Sequence, residues 1–406
     1  MRSSLVLVWF SLVLPSLTSA QDSSAAAQAM QRAVRLIEVG RPNEGLVQAR
    51  RAIELAPQSA IGYSNLGAVY WRIGDLAAAV LALRKAIELD PRYRPAYSNL
   101  GNTYIDAGQL DSAIAVHRRA ITLDSTRARA YIDLGTALEK NGHLDESIQQ
   151  FQKAVTLDSN SALAWYNLGV SYYRLKRWPD ALNAFITANE RDEFYPHLFE
   201  TLQVVSTEGR GDFERGASDH PEDPMSHYYL AYAFSYQRDW GRAMKAINRA
   251  SQLARAPEFA RARAWFESRR GRDEAAIVAA RACAPADWSC YIVLGYSLGR
   301  LRRAREALDA LLKAASINPN VINVQQTLGV AFMMVGDNTN AAAAFEQALA
   351  LGSRQSLVHL NLVFAYRDLG KYDLAWRHAR ILERMGHPDA QVVIQELSRR
   401  SPEPNW

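Results

Sequence analysis

The stretch Tyr-Ser-Asn-Leu-Gly occupies residues 63–67 and occurs again at residues 97–101, 34 positions later. Its glycine recurs in the same register along both halves of the chain, at Gly67, Gly101, Gly135, Gly169, Gly295 and Gly329. Val363 occupies the next register. A fixed interval of this length indicates a repeat architecture, in which each repeat packs against its neighbours.

Rows of small residues follow the glycines at two further fixed distances. Twelve positions later stand Ala79, Ala113, Ser147, Ala181, Ala307, Ala341 and Ala375, and seven positions after these stand Ala86, Ala120, Ala154, Ala188, Ala314 and Ala348. Turn signals such as Gly74-Asp75 separate the two halves of each repeat, which predicts two helices per repeat. Because glycine inside a helix costs about 1 kcal/mol relative to alanine, its repetition predicts a register where two helix backbones approach closely.

Repeat 60–93 shows the full pattern of large and small residues. In order it carries Tyr63, Leu66, Gly67, Tyr70, Ala79, Leu83, Ala86 and Pro91. This pattern resembles the tetratricopeptide repeat, although Leu83 stands where that family usually has phenylalanine. The resemblance covers residues 26–389. It implies an all-α fold, a right-handed superhelical solenoid of ten or eleven helical pairs with a C-terminal capping helix.

The interval between Gly169 and Gly295 breaks the regular spacing, because 126 residues stand where four periods would need 136. We therefore expect an N-terminal block of about five repeats at 21–195, a degenerate repeat or hinge at 196–223, and a C-terminal block of about five repeats at 224–389. Residues 390–406 are predicted to form the capping helix and a tail, which would cover the apolar edge of the last repeat.

The first twenty residues have the pattern of a signal peptide. Arg2 precedes an apolar run at 5–14, and Thr18-Ser19-Ala20 offers small residues for cleavage. The run is about half the ~20 residues that a membrane-spanning helix needs. We predict cleavage after Ala20 and an exported protein, periplasmic or secreted, without a membrane span; an uncleaved anchor is the alternative.

Composition and motifs argue against catalysis and nucleic-acid binding. The formal charge is +5, but the 47 basic residues are dispersed among 42 acidic ones without a long basic run. The sequence lacks a phosphate-binding glycine loop, a nucleophile elbow and a zinc-binding helix motif, and its eight histidines stand in no triad or metal pattern. We expect a non-enzymatic protein with no cofactor and no metal site.

Two cysteines, Cys283 and Cys290, are the only ones in the chain. In an exported protein they are candidates for a disulfide bond across a short loop. The alternative is a pair of unlinked small apolar residues, since Cys283 stands at a register that other repeats fill with leucine, such as Leu89 and Leu123.

A row of polar residues lies two positions before the glycine row, at Asn65, Asn99, Asp133, Asn167 and, far downstream, Asn361. In the tetratricopeptide family, such a ladder can line the concave groove and hydrogen-bond the main chain of an extended peptide, since an amide both donates and accepts. The alternative is that these residues belong to the repeat consensus and face water.

Aromatic and arginine side chains extend this predicted peptide- or partner-binding surface. The further candidates are Arg72, Asn102, Tyr166, Tyr173, Arg174, Tyr229, Tyr232 and Tyr236. In the C-terminal half, Tyr296, Met333, Met334 and Phe364 would suit an amphipathic helix if they are exposed. The leading prediction is an exported scaffold or adaptor for a protein or peptide. The alternatives are the substrate-recognition subunit of a separate glycosyltransferase or peptidase, or an envelope-assembly or pilus accessory factor.

Overall fold

The computed structural model describes residues 21–38, 40–193, 195, 197–283 and 287–404. These residues form 23 α-helices and no strand, so the predicted all-α class is confirmed. They belong to two compact units, one within Met1–Ser159 and Glu403–Trp406, the other at Asn160–Pro402. The predicted signal segment at 1–20 and the last two residues of the predicted tail lie outside the described residues.

Unit 1 consists of four helical pairs. Its helices are α1 (Gln21–Glu38), α2 (Pro42–Leu55), α3 (Ala60–Arg72), α4 (Leu76–Leu89), α5 (Arg94–Asp106), α6 (Leu110–Leu123), α7 (Ala128–Lys140) and α8 (Leu144–Leu157). Each odd-numbered helix packs against the even-numbered helix that follows it, and then against the next pair. The core of this unit is therefore a continuous row of inter-helix contacts.

Unit 2 continues the same arrangement through seven pairs and a single last helix. Its helices are α9 (Ala162–Arg174), α10 (Trp178–Arg191), α11 (Leu198–Glu208), α12 (Arg210–Asp219), α13 (Pro224–Tyr236), α14 (Trp240–Leu253), α15 (Pro257–Arg269), α16 (Asp273–Arg281), α17 (Trp288–Arg300), α18 (Ala304–Ile317), α19 (Ile322–Met334), α20 (Asn338–Ala350), α21 (Ser356–Asp368), α22 (Tyr372–Arg384) and α23 (Ala390–Ser398). Helix α23 packs on α22 and α21 and buries Val393 and Leu397.

The repeated glycines make room for one large side chain of the paired helix. A β-carbon on Gly67 would lie 2.6 Å from Leu83 Cγ, and one on Gly169 would lie 2.7 Å from Phe185 Cε1. In each case the obstructing side chain comes sixteen positions after the glycine. The prediction of a close approach at this register holds, but its main cause is a side chain seated on the glycine rather than contact between two backbones.

The turn within each pair also has a constant structure. Gly74, Gly108 and Gly142 adopt positive φ angles of 87°, 72° and 85°, which glycine tolerates without strain. After the turn, the carboxylate of Asp75 accepts a hydrogen bond from the backbone N–H of Ala78, which caps α4. Three turns of unit 2 place a lysine or arginine at positive φ instead: Lys176, Arg238 and Arg302.

The boundary between the compact units follows Ser159, so the helical pair of α9 and α10 lies in unit 2. Within this unit, α10 also packs against α19, far along the chain. The predicted division into two repeat blocks and a hinge stays a prediction. The predicted degenerate repeat at 196–223 contains two short helices, α11 with eleven residues and α12 with ten.

Candidate partner-binding surface

The first helices of successive pairs in unit 2 form one shared surface, which we call the inner surface. Side chains of α13, α15, α17 and α19 face α10 across a recess of about 50 Å³. Tyr232, Trp265, Tyr296 and Asn323 line it from the repeat side, and Asn189 lines it from α10. A recess of this size holds a few water-sized groups but no folded segment of a partner.

Next to the recess lies an exposed apolar strip on α17 and α19, formed by Tyr296, Gly299, Val330 and Met334. The exposed fractions of Tyr296, Val330 and Met334 are 43%, 44% and 41%. A β-carbon on Gly299 would lie 3.6 Å from Met334 Sδ, so α17 and α19 approach closely at this point of the strip. Val330 lies two helical turns after Asn323 and one turn before Met334, which places all three on one face of α19.

Charged groups at the end of α10 hold it against later repeats of the same unit. Arg261 Nε lies 2.8 Å from Glu190 Oε1, and its Nη1 lies 2.9 Å from Asp287 Oδ2. The guanidinium of Arg191 lies over the ring of Trp288, 5.1 Å from its centroid. These groups are mostly buried and mutually paired, so removing one of them would leave an unpaired buried charge and destabilise the packing around the recess.

Side-chain amides in the turns form further hydrogen bonds between early and late parts of unit 2. Asn160 and Asn318 exchange two hydrogen bonds of 3.1 and 2.9 Å, although they are 158 positions apart. The side-chain amide of Gln355 donates to Asp192 Oδ1 at 3.1 Å, across 163 positions. The first helices of unit 2 are thus held against its later repeats by contacts that the 34-residue pattern does not predict.

Three of the tyrosines predicted to contact a ligand are largely buried. Tyr232 and Tyr236 pack their rings with Trp265 in an aromatic cluster on α13 and α15. Tyr166 packs between Phe185 and Tyr195. Burial raises the pKa of the Tyr232 and Tyr236 hydroxyls well above the usual range. Of the three, Tyr232 also lines the recess.

The polar ladder of unit 1 is buried between helices. Asn65 and Asn99 are fully buried, and Asp133 is 4% exposed. The Asn99 amide donates to Ser64 Oγ at 3.4 Å, and Arg129 Nε lies 2.7 Å from Asp133 Oδ1. A peptide main chain would reach these groups only by displacing the side chains packed around them. The structure therefore gives the ladder a packing role, and peptide binding by it stays a prediction.

The remaining predicted contact residues are divided between core and surface. Asn167 in unit 2 is 7% exposed and Asn102 in unit 1 is 2% exposed. The other predicted positions are half-buried or exposed: Arg72, Arg174, Tyr173, Tyr229 and Asn361. The Tyr173 hydroxyl donates to Glu208 Oε2 at 2.9 Å. The structure does not bring these residues together into one site.

Sequence reasoning missed a fully buried histidine in the core of unit 1. His117 packs on Gly101, where a β-carbon would lie 2.3 Å from its Cε1, and neither ring nitrogen has a hydrogen-bond partner. Burial lowers the pKa of this imidazole. The signal was present in the 34-residue alignment, since the corresponding positions hold leucine or phenylalanine, as at Leu83 and Phe151.

A second histidine cluster lies in the last repeats of unit 2. His359 Nδ1 and His378 Nδ1 are 2.9 Å apart, and His378 Nε2 lies 3.2 Å from Glu346 Oε1. The Tyr366 hydroxyl donates to the same carboxylate oxygen at 3.0 Å. Burial and the neighbouring His378 lower the pKa of His359 to about 3. One Nδ1 must donate to the other, so the pair is stable only while at least one ring is neutral.

The two cysteines are joined in the structure. The sulfur atoms of Cys283 and Cys290 are bonded, with their Cα atoms 6.2 Å apart, and both residues are buried. The bond links the end of α16 to the first turn of α17, which carries Tyr296 further along. It therefore restrains the helix that supplies part of the apolar strip.

Metal-ion clusters and membrane-spanning helices are both absent from the described residues. Within the ranges that the structure covers, there is no group of three or more histidine, cysteine, aspartate or glutamate side chains arranged to hold a metal ion. In those same ranges, every helix is either too short or too polar to cross a bilayer.

Comparison with family models confirms the predicted repeats in part of the chain. A model described as "TPR repeat" matches residues 101–142 and 140–176, and two described as "Tetratricopeptide repeat" match residues 71–119 and 30–94. Protein FlbA of Caulobacter vibrioides is 29% identical over 103 residues. That match covers 25% of this chain and 17% of FlbA, so the chain matches only a small part of that relative.

Three solved structures are among those similar to this chain. MamA, residues 41 to the end, from Desulfovibrio magneticus is 24% identical, covering 43% of this chain and 96% of its own, with a TM-score of 0.38. YrrB, described as a TPR protein with an unusual peptide-binding site, is 20% identical over 52% of this chain and 94% of its own, with a TM-score of 0.33. The APC/C Cut9–Hcn1 hetero-tetramer is 14% identical over 93% of this chain and 91% of its own, with a TM-score of 0.41.

Proposed function

We propose that this tetratricopeptide-repeat protein is a non-catalytic, exported scaffold that holds an extended or helical segment of a partner protein on the inner surface of unit 2. The observation that carries the proposal is the apolar strip of Tyr296, Gly299, Val330 and Met334. Large apolar side chains that stay about two-fifths exposed side by side on two helices suit an interface.

The composition of the strip favours a protein partner. A tyrosine provides a rigid anchor, and methionine adapts its unbranched side chain to different apolar surfaces. The Arg300 guanidinium lies 5.0 Å from the Tyr296 ring centroid and provides a charged rim on one side. An apolar centre with a polar rim is the usual anatomy of a protein interface.

The structure of the strip also reduces the cost of binding. Tyr296 and Met334 lie on helices packed in the middle of the unit, and the disulfide at Cys290 restrains the start of α17. A partner would therefore bind a surface that is already ordered, which lowers the entropy that binding must offset.

The exported location is part of the proposal and rests on the sequence of residues 1–20. Mass spectrometry of the protein purified from its native host, from intact cells and from the exported fraction, tests it. A mature chain that begins at Gln21 in the exported fraction supports export. Full-length chain confined to the cytoplasm rejects it.

The binding site is tested by two matched substitutions, Val330→Asp and Leu312→Asp. Both side chains are 44% exposed, but Val330 lies in the apolar strip on α19 and Leu312 lies on the second helix α18. A buried unpaired carboxylate in an interface costs several kcal/mol, so Val330→Asp should reduce capture of the partner at least about tenfold.

The readout is quantitative mass spectrometry of proteins captured on the wild-type chain and on each variant. A partner that is enriched by wild type and by Leu312→Asp, but lost with Val330→Asp, supports the inner surface. Equal capture by both variants, or loss with Leu312→Asp alone, rejects it. Circular dichroism spectra that match wild type show that each variant is folded.

A further inference from the structure

We propose that basic turns along one edge of unit 2 bind anionic lipid headgroups and hold the protein against the surface of a negatively charged bilayer. The turns join the two helices of the pairs α9–α10, α13–α14, α15–α16 and α17–α18. Together with the first residues of the helices that follow them, we call them the turn edge. The inference does not depend on the proposed partner site, because the side chains that carry it belong to neither the apolar strip nor the recess.

The turns lie next to one another, because the ends of successive first helices are in contact. Hydrogen bonds join Tyr173 to Glu208 at 2.9 Å, Gln237 to Ser206 at 2.7 Å and Arg300 to Ser268 at 2.6 Å. Between α13 and α15, the ring centroids of Tyr236 and Trp265 are 5.5 Å apart. The turns that follow these helix ends therefore form a continuous edge from α9 to α17.

One cationic tetrapeptide pattern occurs twice on this edge. It is Arg-Leu-Lys-Arg at 174–177 and Arg-Leu-Arg-Arg at 300–303, in the same register of the repeat. The third residues, Lys176 and Arg302, have positive φ angles of 57° and 60°, at the register where the turns of unit 1 have Gly74, Gly108 and Gly142. A residue with a β-carbon is strained in this conformation. A lysine or arginine in place of glycine therefore indicates a role for its charge.

The central cations of the turns lack carboxylate partners, although their neighbours have them. Arg177 Nε lies 2.9 Å from Asp180 Oδ2, and Arg303 Nη2 lies 2.6 Å from Glu306 Oε2. Five basic side chains of the turn edge are exposed and make no hydrogen bond, ion pair or cation–π contact with the residues that the structure describes: Lys176, Arg238, Arg272, Arg302 and Arg305. Glu274 is an exposed acid of the same turns without an ion pair in that part of the chain. The turn edge therefore keeps an excess of positive charge, which attracts an anionic surface.

Apolar side chains beside these cations favour a lipid surface over another anion. Leu175 and Leu301 directly precede the two strained cations, and each is 37% exposed. Trp178 begins α10 and Trp240 begins α14, just after their turns. Proteins that bind bilayers at the surface combine cations that contact headgroups with leucine or tryptophan that enters the interface. An acidic protein segment would use the cations without needing the exposed leucines.

The proposal is tested by co-sedimentation of the full chain with lipid vesicles. One set of vesicles is phosphatidylcholine alone, and the other contains about one-third phosphatidylglycerol. We expect binding to the anionic vesicles to be at least about tenfold stronger, and to weaken as salt is added, because salt screens exposed charges. All variants share residues 1–20, so a contribution from that segment is the same in each.

The double variant Lys176→Gly with Arg302→Gly removes two cations and places at both positions the residue found in the turns of unit 1. Each basic side chain near an anionic surface strengthens binding roughly fivefold, so the loss should be at least about tenfold. The urea midpoint of unfolding should not fall, because glycine relieves the strain. The matched control is Lys153→Ala with Arg255→Ala. It removes the same charge from exposed sites on α8 and in the turn after α14, away from the turn edge, and should keep binding unchanged.

A second double variant, Leu175→Ser with Leu301→Ser, separates a bilayer from an acidic protein segment, with poly-L-glutamate as the probe for the latter. Vesicle binding that weakens in this variant and in the glycine variant supports the proposal. Equal binding to both kinds of vesicle, or an equal loss in the glycine and alanine variants, overturns it. Vesicle binding unchanged by serine, together with poly-L-glutamate binding that the glycine variant loses, overturns it in favour of an acidic segment.

Discussion

The ring of Phe151 lies directly on Gly135, where an added β-carbon would be 2.7 Å from Cε1. The same relationship joins Gly329 to Phe345, also sixteen positions apart. In the next repeat the sizes are reversed, since the register of the glycine holds Val363 and the position sixteen residues later holds Ala379, both buried. Among these repeats, a small residue at one of the two positions is therefore matched by a larger one at the other, and the small residue need not be the glycine.

Substitution Gly135→Ala should destabilise unit 1. Alanine improves helix propensity by about 1 kcal/mol, but the overpacked methyl group against the Phe151 ring costs about 1–3 kcal/mol. Hydrogen exchange of peptides from α7 and α8 should therefore accelerate. The control is Gly216→Ala inside α12, where the nearest atom is 3.7 Å away, Ser226 Oγ, and where the same change should slow exchange. Faster exchange in both variants, or in neither, would contradict the packing account.

Substitution His117→Leu should stabilise unit 1. It replaces two buried nitrogens without partners by an apolar side chain that already packs in the same way at Leu83 on Gly67. The expected gain is about 1–3 kcal/mol, the cost of leaving buried polar groups unsatisfied. Urea unfolding at pH 7.5 monitors it, and the reverse change Leu83→His in the neighbouring repeat should lower stability by a similar amount. A His117→Leu protein no more stable than wild type would show that the imidazole has a partner.

Acidification should destabilise the last repeats of unit 2 through His359. The folded-state pKa is about 3, below the unfolded value near 6.5, so the unfolded chain binds the proton first. Stability is therefore complete above about pH 6.5 and decreases as the pH falls toward 3. The expected loss at pH 5 is about 2 kcal/mol.

The matched variant is His359→Gln, because Gln325 occupies the same register in the preceding repeat. It removes the titrating ring and keeps a hydrogen-bonding side chain. Hydrogen exchange of α21 and α22 between pH 7.5 and 5 should accelerate less in this variant than in wild type, after correction for intrinsic rates. An identical pH dependence in both proteins would assign the acid sensitivity to other groups.

Alanine at Asn65, Asn99 and Asn167 together should lower stability by about 1 kcal/mol per site without changing partner capture. These amides are buried, and a typical buried hydrogen bond contributes about that much. Asn361→Ala is the control, because the same register is half-buried there and a smaller effect is expected. Capture lost at unchanged stability would support the peptide-binding ladder instead.

The repeat pattern is sufficient to predict the helical pairs, because Gly135 and Phe151 or Gly67 and Leu83 are close in sequence and recur. It does not predict the contacts between the first helices of unit 2 and its later repeats. These contacts include the hydrogen bonds between Asn160 and Asn318, which join turns of different repeats and do not recur at the 34-residue interval.

The candidate site was predictable only in its apolar part. Tyr296 and Met334 could be singled out because they are large apolar residues on first helices, and both are exposed. Asn65 and Tyr232 could not be assigned correctly to core or surface, since both faces of a first helix contact other helices and helical spacing does not distinguish them. The recess was not predictable, because Glu193 and Asn323 meet only when α10 packs on α19.

The most direct test of the inner surface is photo-crosslinking in the native host, with p-benzoylphenylalanine placed at Tyr296, Met334, Leu312 or Val278, one position at a time. The first two lie in the apolar strip, and the other two are exposed on the second helices α18 and α16. We predict one protein adduct shared by positions 296 and 334 and absent at 312 and 278. The same adduct at all four positions, or none at 296 and 334, would contradict the account.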